Sequence, residues 1–281
     1  CRHYELSGDP AREMEELNHG NAVMAELEPF DADSHSEKVM QVVRTYTARQ
    51  LEEVSVGDDA VQPVFILCPP RSGSTLLEQA LARHERFWPG GEKSFASLSW
   101  QTVTGQFFPT ISNDVENHGE IDADTVKSFR DRYESLAREA GLGSGMRMVH
   151  KGVNNYKFAG VLKAAFPQAR FIELRRNPMD VAFGCYRQNF THQPFSRTFA
   201  GCAAEVALYQ KAMSWWREQM PESITTQAEA EAFLRSQTGR GIGFVRSPSR
   251  LTDEAEVLIP PGERFELESR AFRSETRGVR Q

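Results

Sequence analysis

The chain has 281 residues, with 33 basic and 39 acidic side chains and a formal net charge of −6. That balance excludes broad nucleic-acid binding, which needs a basic face, so any anion site must be a local cluster. Apolar residues make up 40%, enough for a sizeable core. No apolar run reaches spanning length and no signal peptide opens the chain, so a soluble cytoplasmic protein is expected.

Residues 1–60 read as an N-terminal helical segment. EMEELNHGNAVMAEL and SEKVMQVVRTYTARQLEEV carry apolar residues at helical spacing, separated by the turn-rich PFDADSHS. The first residue is Cys rather than Met, so a fragment or processed piece is expected. The four cysteines, Cys1, Cys68, Cys185 and Cys202, show no CxxC pair and no metal-ligand spacing.

Val64 to Leu67 is a short apolar run, read as a buried parallel strand that Pro69 and Pro70 stop. Arg71, Ser72, Gly73, Ser74 and Thr75 follow, then Leu76, Leu77, Ala80 and Leu81 at helical spacing. Strand, tight polar loop and helix together point backbone N–H groups and a positive helix end at an anion. An ordinary capped helix after a strand is the plainer alternative. The loop lacks the framing glycines and the Lys of a nucleoside triphosphatase loop, so the cradle is read as metal-free.

Trp88-Pro89-Gly90-Gly91 reads as a loop, with Glu92 directly after it. One strand-loop-helix excursion separates Glu92 from Arg71, which returns the chain to the same sheet edge. Residues 96–145 are polar and turn-rich apart from an amphipathic helix over 124–139; His118 reads as a surface loop residue. Met146 to His150 is a second strand with Lys151 at its carboxyl end, where ligand sites of open α/β sheets gather. Asn155 suits the start of the helix NNYKFAGVLKAAF.

Ala169 to Arg175 is a third strand. Arg175 and Arg176 close it as a second anion clamp, unless they pair with a carboxylate such as Asp180. Pro178 opens the next helix. Arg197 to Met220 is a long helix whose Trp215 and Trp216 read as packing residues. No further strand is read after Pro221.

These segments carry a resemblance. PPRSGSTLLEQ after a buried strand, GGEKSF, HKGVNN and ARFIELRRNPMDVAFGCYRQNF resemble the sulfotransferases that use 3′-phosphoadenosine 5′-phosphosulfate. The likeness is greatest to the bacterial group fused behind tetratricopeptide repeats, which is related to the tyrosylprotein sulfotransferases. It covers roughly residues 10 to 220 and implies a P-loop-type three-layer α/β fold, with a parallel sheet flanked by helices. The division it suggests is a helical segment over 1–60, a catalytic core over 61–220 and a diverged C-terminal segment over 221–281, a cap or a partly disordered tail. Upstream tetratricopeptide repeats missing from this chain are implied too.

Carried over by position, the resemblance makes Arg71, Ser72, Gly73, Ser74 and Thr75 the 5′-phosphosulfate loop and Arg176 the 3′-phosphate ligand. Gly184 stands where the family has a Ser, which removes one hydroxyl donor and weakens that hold by about 1 kcal/mol. The family's Pro two residues after the Lys is replaced by Val153. Glu92 matches the general base and Lys151 the group that meets charge on the bridging oxygen. The implied reaction is sulfuryl transfer to a hydroxyl, or less often an amine, without a metal. Two other classes stand beside it: a catalytically inactive nucleotide-binding scaffold, favoured by Gly184 and the tail, and a P-loop kinase, disfavoured by the missing Lys.

Overall fold

The computed structural model describes residues 9–57, 61–105, 121–188, 190–191 and 193–226. Cys1, His118 and the tail from residue 227 onward, for which a cap or disorder is expected above, lie outside them.

In chain order the helices are α1 (Pro10–Leu27), α2 (Ala32–Thr45), α3 (Ala48–Glu53), α4 (Ser74–Leu81), α5 (Phe95–Thr104), α6 (Ala123–Glu139), α7 (Asn155–Ala165), α8 (Pro178–Tyr186) and α9 (Phe199–Gln219). The strands are β1 (Val64–Leu67), β2 (Phe87–Gly91), β3 (Arg147–His150), β4 (Arg170–Glu173) and β5 (Ile224–Thr226). Among the described residues, no helix is long and apolar enough to cross a membrane. The apolar run expected as one helix over 36–54 is broken at Tyr46. Thr47 caps the second piece by accepting from the Gln50 N–H, so the next helix is capped one residue after the break.

The described residues form two compact units. The larger comprises 31–177 and 208–226 and holds the sheet. Its strand order is β2-β3-β1-β4-β5 and every pairing is parallel. This is the α/β architecture expected from the sequence: a parallel sheet with helices on both faces. Alternation along the strands divides the core. Phe65, Leu67, Met148 and Phe171 face a cluster built with Val39 and Val43 of α2, Trp100 of α5, Phe129 and Tyr133 of α6, Leu162 of α7 and Trp216 of α9. Val64, Ile66, Val149, Ile172 and Leu174 face Leu77 and Leu81 of α4. Trp215 and Trp216 are packing residues here, each donating its ring N–H to a carbonyl, of Tyr46 and Tyr156 respectively.

Two strands differ from the sequence reading. The WPGG stretch, expected as a loop, is the edge strand β2. Pro89 is tolerated there because an edge needs no donor on its outer side, and the pairing with β3 is irregular between Pro89 and Gly91. The strand not expected after Pro221 is β5, which pairs with β4 through Phe171 and Ile224. Three residues are too few to show a period-two pattern, so the sequence gives no signal for it.

The smaller unit comprises residues 9–30 and 178–207 of those described. Met14 and Leu17 of α1 pack with Val181, Cys185 and Tyr186 of α8 and with Phe199. The Tyr186 ring stacks on Phe199 at 4.1 Å, and its hydroxyl donates to Asn18. Arg187 pairs with Glu13, and the buried Arg197 with Glu28.

The chain of the larger unit moves from β1 to one flank (β2, β3) and then to the other (β4, β5). A strand order of this kind opens a crevice beside the carboxyl end of the central strand, which here is β1.

Candidate functional site

Beyond Leu67 the chain cannot continue the ladder, because Pro69 and Pro70 follow the buried Cys68. The turn closes on itself: the Ser72 hydroxyl donates to the Pro69 carbonyl at 2.8 Å. Two residues hold positive φ, Arg71 at +64° and Gly73 at +97°. Gly73 caps α4 with no side chain, and only at Leu76 and Leu77 do N–H groups turn back to its carbonyl. The earlier N–H groups of the first turn therefore carry the helix's partial positive charge outward. Arg71, Gly73 and Thr75 are exposed around them, while Ser72 and Ser74 are buried. Beneath the loop, burial pushes the Cys68 thiol up to about 12; its hydrogen bond with Ser74 and the nearby Lys151 charge pull the other way, and Glu92 adds to the rise.

β3 delivers the second cluster. Lys151 follows its last residue, and the ammonium reaches the Glu92 carboxylate at 2.5 Å. The Lys151 side chain is 7% exposed and that of Glu92 is 55% exposed, so a buried cation holds a carboxylate that faces solvent. The Lys151 N–H also donates to the Gly91 carbonyl. Beside it, Asn155 donates to the His150 carbonyl at 3.0 Å; a Cβ at Gly152 would stand 2.7 Å from the Asn155 amide oxygen, so this bend needs glycine.

β4 delivers the third group. Because β1 and β4 pair in register, Leu174 donates to Leu67 and the two strand ends lie side by side. From there the Arg176 guanidinium donates to the backbone carbonyl of Arg71 at 3.0 Å. Arg71 and Arg176 thus share one corner of the sheet. Arg175, read from sequence as half of a clamp, instead donates to Glu173, a buried carboxylate that also accepts from Arg217. Gly184 lies on α8, in the smaller unit.

Two further side chains hold the turn that carries Glu92, and the sequence reading singled out neither. Glu78 of α4 is buried, and its carboxylate accepts from the Gly91 N–H at 2.7 Å. Burial raises its carboxyl above the ordinary range; the Gly91 N–H and Lys151 lower it, and Glu92 raises it further. His150 is fully buried in β3. The Lys93 carbonyl, at 2.8 Å from Nε2, can only accept, so Nε2 carries the proton and Nδ1 accepts from the Tyr133 hydroxyl at 2.9 Å. Burial pulls this imidazole down to about 4, and Lys151 adds to the fall, so it is neutral at pH 7. A Glu at a polar helix position gives no sequence signal. A His ending an apolar strand next to Lys does give one, since a titratable group inside a buried strand requires partners. Among the described residues, no group of three or more His, Cys, Asp or Glu side chains is arranged to hold a metal ion.

A sequence model described as the sulfotransferase family matches residues 63–229. An uncharacterized protein from Aquifex aeolicus (strain VF5) is 30% identical over 207 residues, covering 70% of this chain. The chain spans 26% of the length of that curated relative. Among solved structures, the sulfotransferase domain from the Synechococcus PCC 7002 olefin synthase matches 62% of this chain and 68% of its own at 18% identity, with a TM-score of 0.40. A sulfotransferase from Alicyclobacillus acidocaldarius matches 66% of this chain and 81% of its own at 16% identity, with a TM-score of 0.39.

Proposed function

The chain belongs to the sulfotransferase family, and on that premise we propose that it moves a sulfuryl group from 3′-phosphoadenosine 5′-phosphosulfate to an acceptor hydroxyl or amine, with Glu92 as the general base. The observation that carries this reading is the corner shared by Arg71 and Arg176, with the Lys151–Glu92 pair at the end of the next strand. A ligand with an anion at each end needs two cationic anchors within one nucleotide's reach.

The residues suit that donor. The α4 start, capped by a glycine with no side chain, leaves backbone N–H groups open for the 5′-phosphosulfate, with Ser74 and Thr75 hydroxyls and the Arg71 fork beside them. Ser72 contributes by shaping the turn, since its hydroxyl already donates to Pro69. Arg176 is the ligand for the 3′-phosphate; Gly184, at the position where the family has a Ser, carries no side-chain donor. The donor supplies an activated sulfuryl group, and the protein supplies positioning and charge.

In the transfer, a bond forms from the acceptor oxygen to sulfur and the bond from sulfur to the bridging oxygen breaks. The electron pair stays on the nucleotide's 5′-phosphate, where Lys151 meets the charge. The acceptor's proton goes to Glu92, whose exposure leaves it reachable from solvent. The sulfuryl group carries less charge than a phosphoryl group, so no metal is invoked. A cytoplasmic setting suits the free, buried thiol of Cys68. Upstream tetratricopeptide repeats remain part of the same proposal.

The test is thermal stabilisation by the desulfated nucleotide, 3′-phosphoadenosine 5′-phosphate, against ATP with magnesium. At a hundredfold excess over Kd the desulfated nucleotide should add about 2.7 kcal/mol. Stabilisation by magnesium-ATP alone overturns the reading in favour of a kinase. Labelled donor offered with peptides, sugars, phenols and lipids then shows where the label lands. Binding without transfer to any of them favours the scaffold.

A further inference from the structure

Glu92 sits on a turn, and a turn alone does not hold a carboxylate to the tolerance that proton transfer needs. The irregularity between Pro89 and Gly91 gives Gly91 a φ of +70°. The Gly91 carbonyl still accepts from Lys151, just past the end of β3, but its N–H turns to α4, where the Glu78 carboxylate takes it at 2.7 Å. On the other side of Glu92, His150 fixes the Lys93 carbonyl. The residue before Glu92 and the residue after it are thus held from two different elements, and α4 itself is anchored by Leu77 and Leu81 in the core.

We infer that Glu78 is a positioning residue, which ties the helix of the anion loop to the turn bearing Glu92 and so fixes where Glu92 meets the acceptor. Its place supports this. A carboxylate buried to 2% exposure is expensive to keep, and leucine or glutamine at this helix position would avoid that cost. What the carboxylate gains here is the Gly91 N–H and the charge of Lys151 nearby. The same helix begins at the proposed donor loop with Ser74, and Glu78 lies seven residues of chain after Arg71, so one rigid element links donor anchor and base. The inference rests on the reading of Glu92 as the base.

The experiment compares Glu78→Ala, Glu78→Gln, Glu78→Asp and Glu92→Gln. Amide hydrogen exchange at Gly91 needs no substrate. Glu78→Ala should speed it at least tenfold, and Glu78→Gln, which keeps an acceptor oxygen at the same reach, should restore protection. Stabilisation by 3′-phosphoadenosine 5′-phosphate should be unchanged in both. With 3′-phosphoadenosine 5′-phosphosulfate as donor and water as acceptor, sulfate release in Glu78→Ala should show kcat reduced at least tenfold and KM for the donor within twofold, again restored by Gln. Should Glu78→Ala fail to fold, Glu78→Asp, one methylene short of Gly91, carries the same comparison. Unchanged Gly91 exchange, a Gln variant as impaired as Ala, or a loss in KM rather than kcat overturns the inference. Glu92→Gln separates the two readings. If it is inactive while Glu78→Ala is not slowed, only the positioning role falls. If it turns over normally, the base assignment falls, and Gly91 exchange still decides whether Glu78 braces the turn.

Discussion

The anion loop at the end of β1 and the Glu92 turn at the end of β2 are built in different ways. The loop is held mainly by its own neighbours: Ser72 bonds back to Pro69, and Leu76 and Leu77 bond back to Gly73, each within five residues, with one distant bond from Arg176 to the Arg71 carbonyl. The turn is held from far away in sequence. Glu78 reaches it from α4, and His150 and Lys151 reach it from the carboxyl end of β3 and the residue after it, 57 and 59 residues on. A site made of one locally determined part and one part determined by tertiary contacts should fail in two separable ways. Damage to the loop should remove donor binding. Damage to the turn should leave donor binding and remove turnover.

The largest effect expected is on the turn. Glu92→Gln removes the proposed base while keeping an oxygen within reach of Lys151, so turnover should fall by about 10² to 10⁴. Stabilisation by 3′-phosphoadenosine 5′-phosphate should stay at the wild-type value. Equal loss of both would mean that loop and turn are one cooperative unit and that the distinction drawn here is wrong.

The next effect is on pH. His150 is held neutral, with its folded value near 4, against about 6.5 in the unfolded chain. The unfolded state therefore binds the extra proton between those values. The contribution of neutral His150 is complete above pH 6.5 and is lost as pH falls towards 4, at about 3 kcal/mol in all. Glu78 works the other way: its raised carboxyl takes up its proton more readily in the folded state, which favours folding on the acid side. Denaturant unfolding of the wild type and of His150→Phe at pH 7 and pH 4 isolates the histidine. The wild type should lose about 3 kcal/mol more over that interval than the variant. Parallel losses would show that Tyr133 and Lys93 do not hold the ring as described.

The same division explains what the sequence made legible. Strand β1, the loop and α4 were readable because their determinants are contiguous: an apolar run, two prolines, a polar loop with Gly73, then helical spacing. Lys151 and Arg176 were readable as cations at strand ends. β2 was not, because Trp88, Pro89, Gly90 and Gly91 carry every local mark of a loop, and only the pairing with β3 makes them a strand. β5 is three residues long and has no pattern of its own. Glu78 carries no mark in the sequence, because nothing nearby states that the Gly91 N–H would need an acceptor. Arg175 looked like an anion ligand because its partner Glu173 faces it only once β4 ends and α9 brings Arg217 to the same carboxylate.

Arg71 offers a sharper test of the loop. It holds a φ of +64°, a region costly for a residue with a Cβ, and its side chain is exposed. Arg71→Gly should relieve that strain while removing the guanidinium. Loss of a charged hydrogen-bond donor should weaken 3′-phosphoadenosine 5′-phosphate by about 1.5–3 kcal/mol, read by titration. Unfolding in denaturant should show no loss of stability. Unchanged nucleotide affinity would remove Arg71 from the donor site.

The smallest effect expected comes from two glycines, one in each region, that are needed for opposite reasons. At Gly73 a Cβ would meet nothing within 4 Å, but φ is +97°, so the demand is conformational. At Gly90 a Cβ would stand 3.0 Å from both the Met148 side chain and the Val149 carbonyl, so the demand is spatial. Met148 is flexible and can yield, but the Val149 carbonyl belongs to β3 and cannot move without the strand. Gly90→Ala should therefore cost about 1 kcal/mol, at the low end for overpacking. The strain should appear where β2 meets β3, next to Glu92 rather than next to Arg71. Denaturant unfolding should register that cost and nucleotide titration should register none, because the loop at the end of β1 does not depend on β2 for its shape. A weakened nucleotide affinity in Gly90→Ala would mean that the Glu78 link carries strain from the turn into the loop.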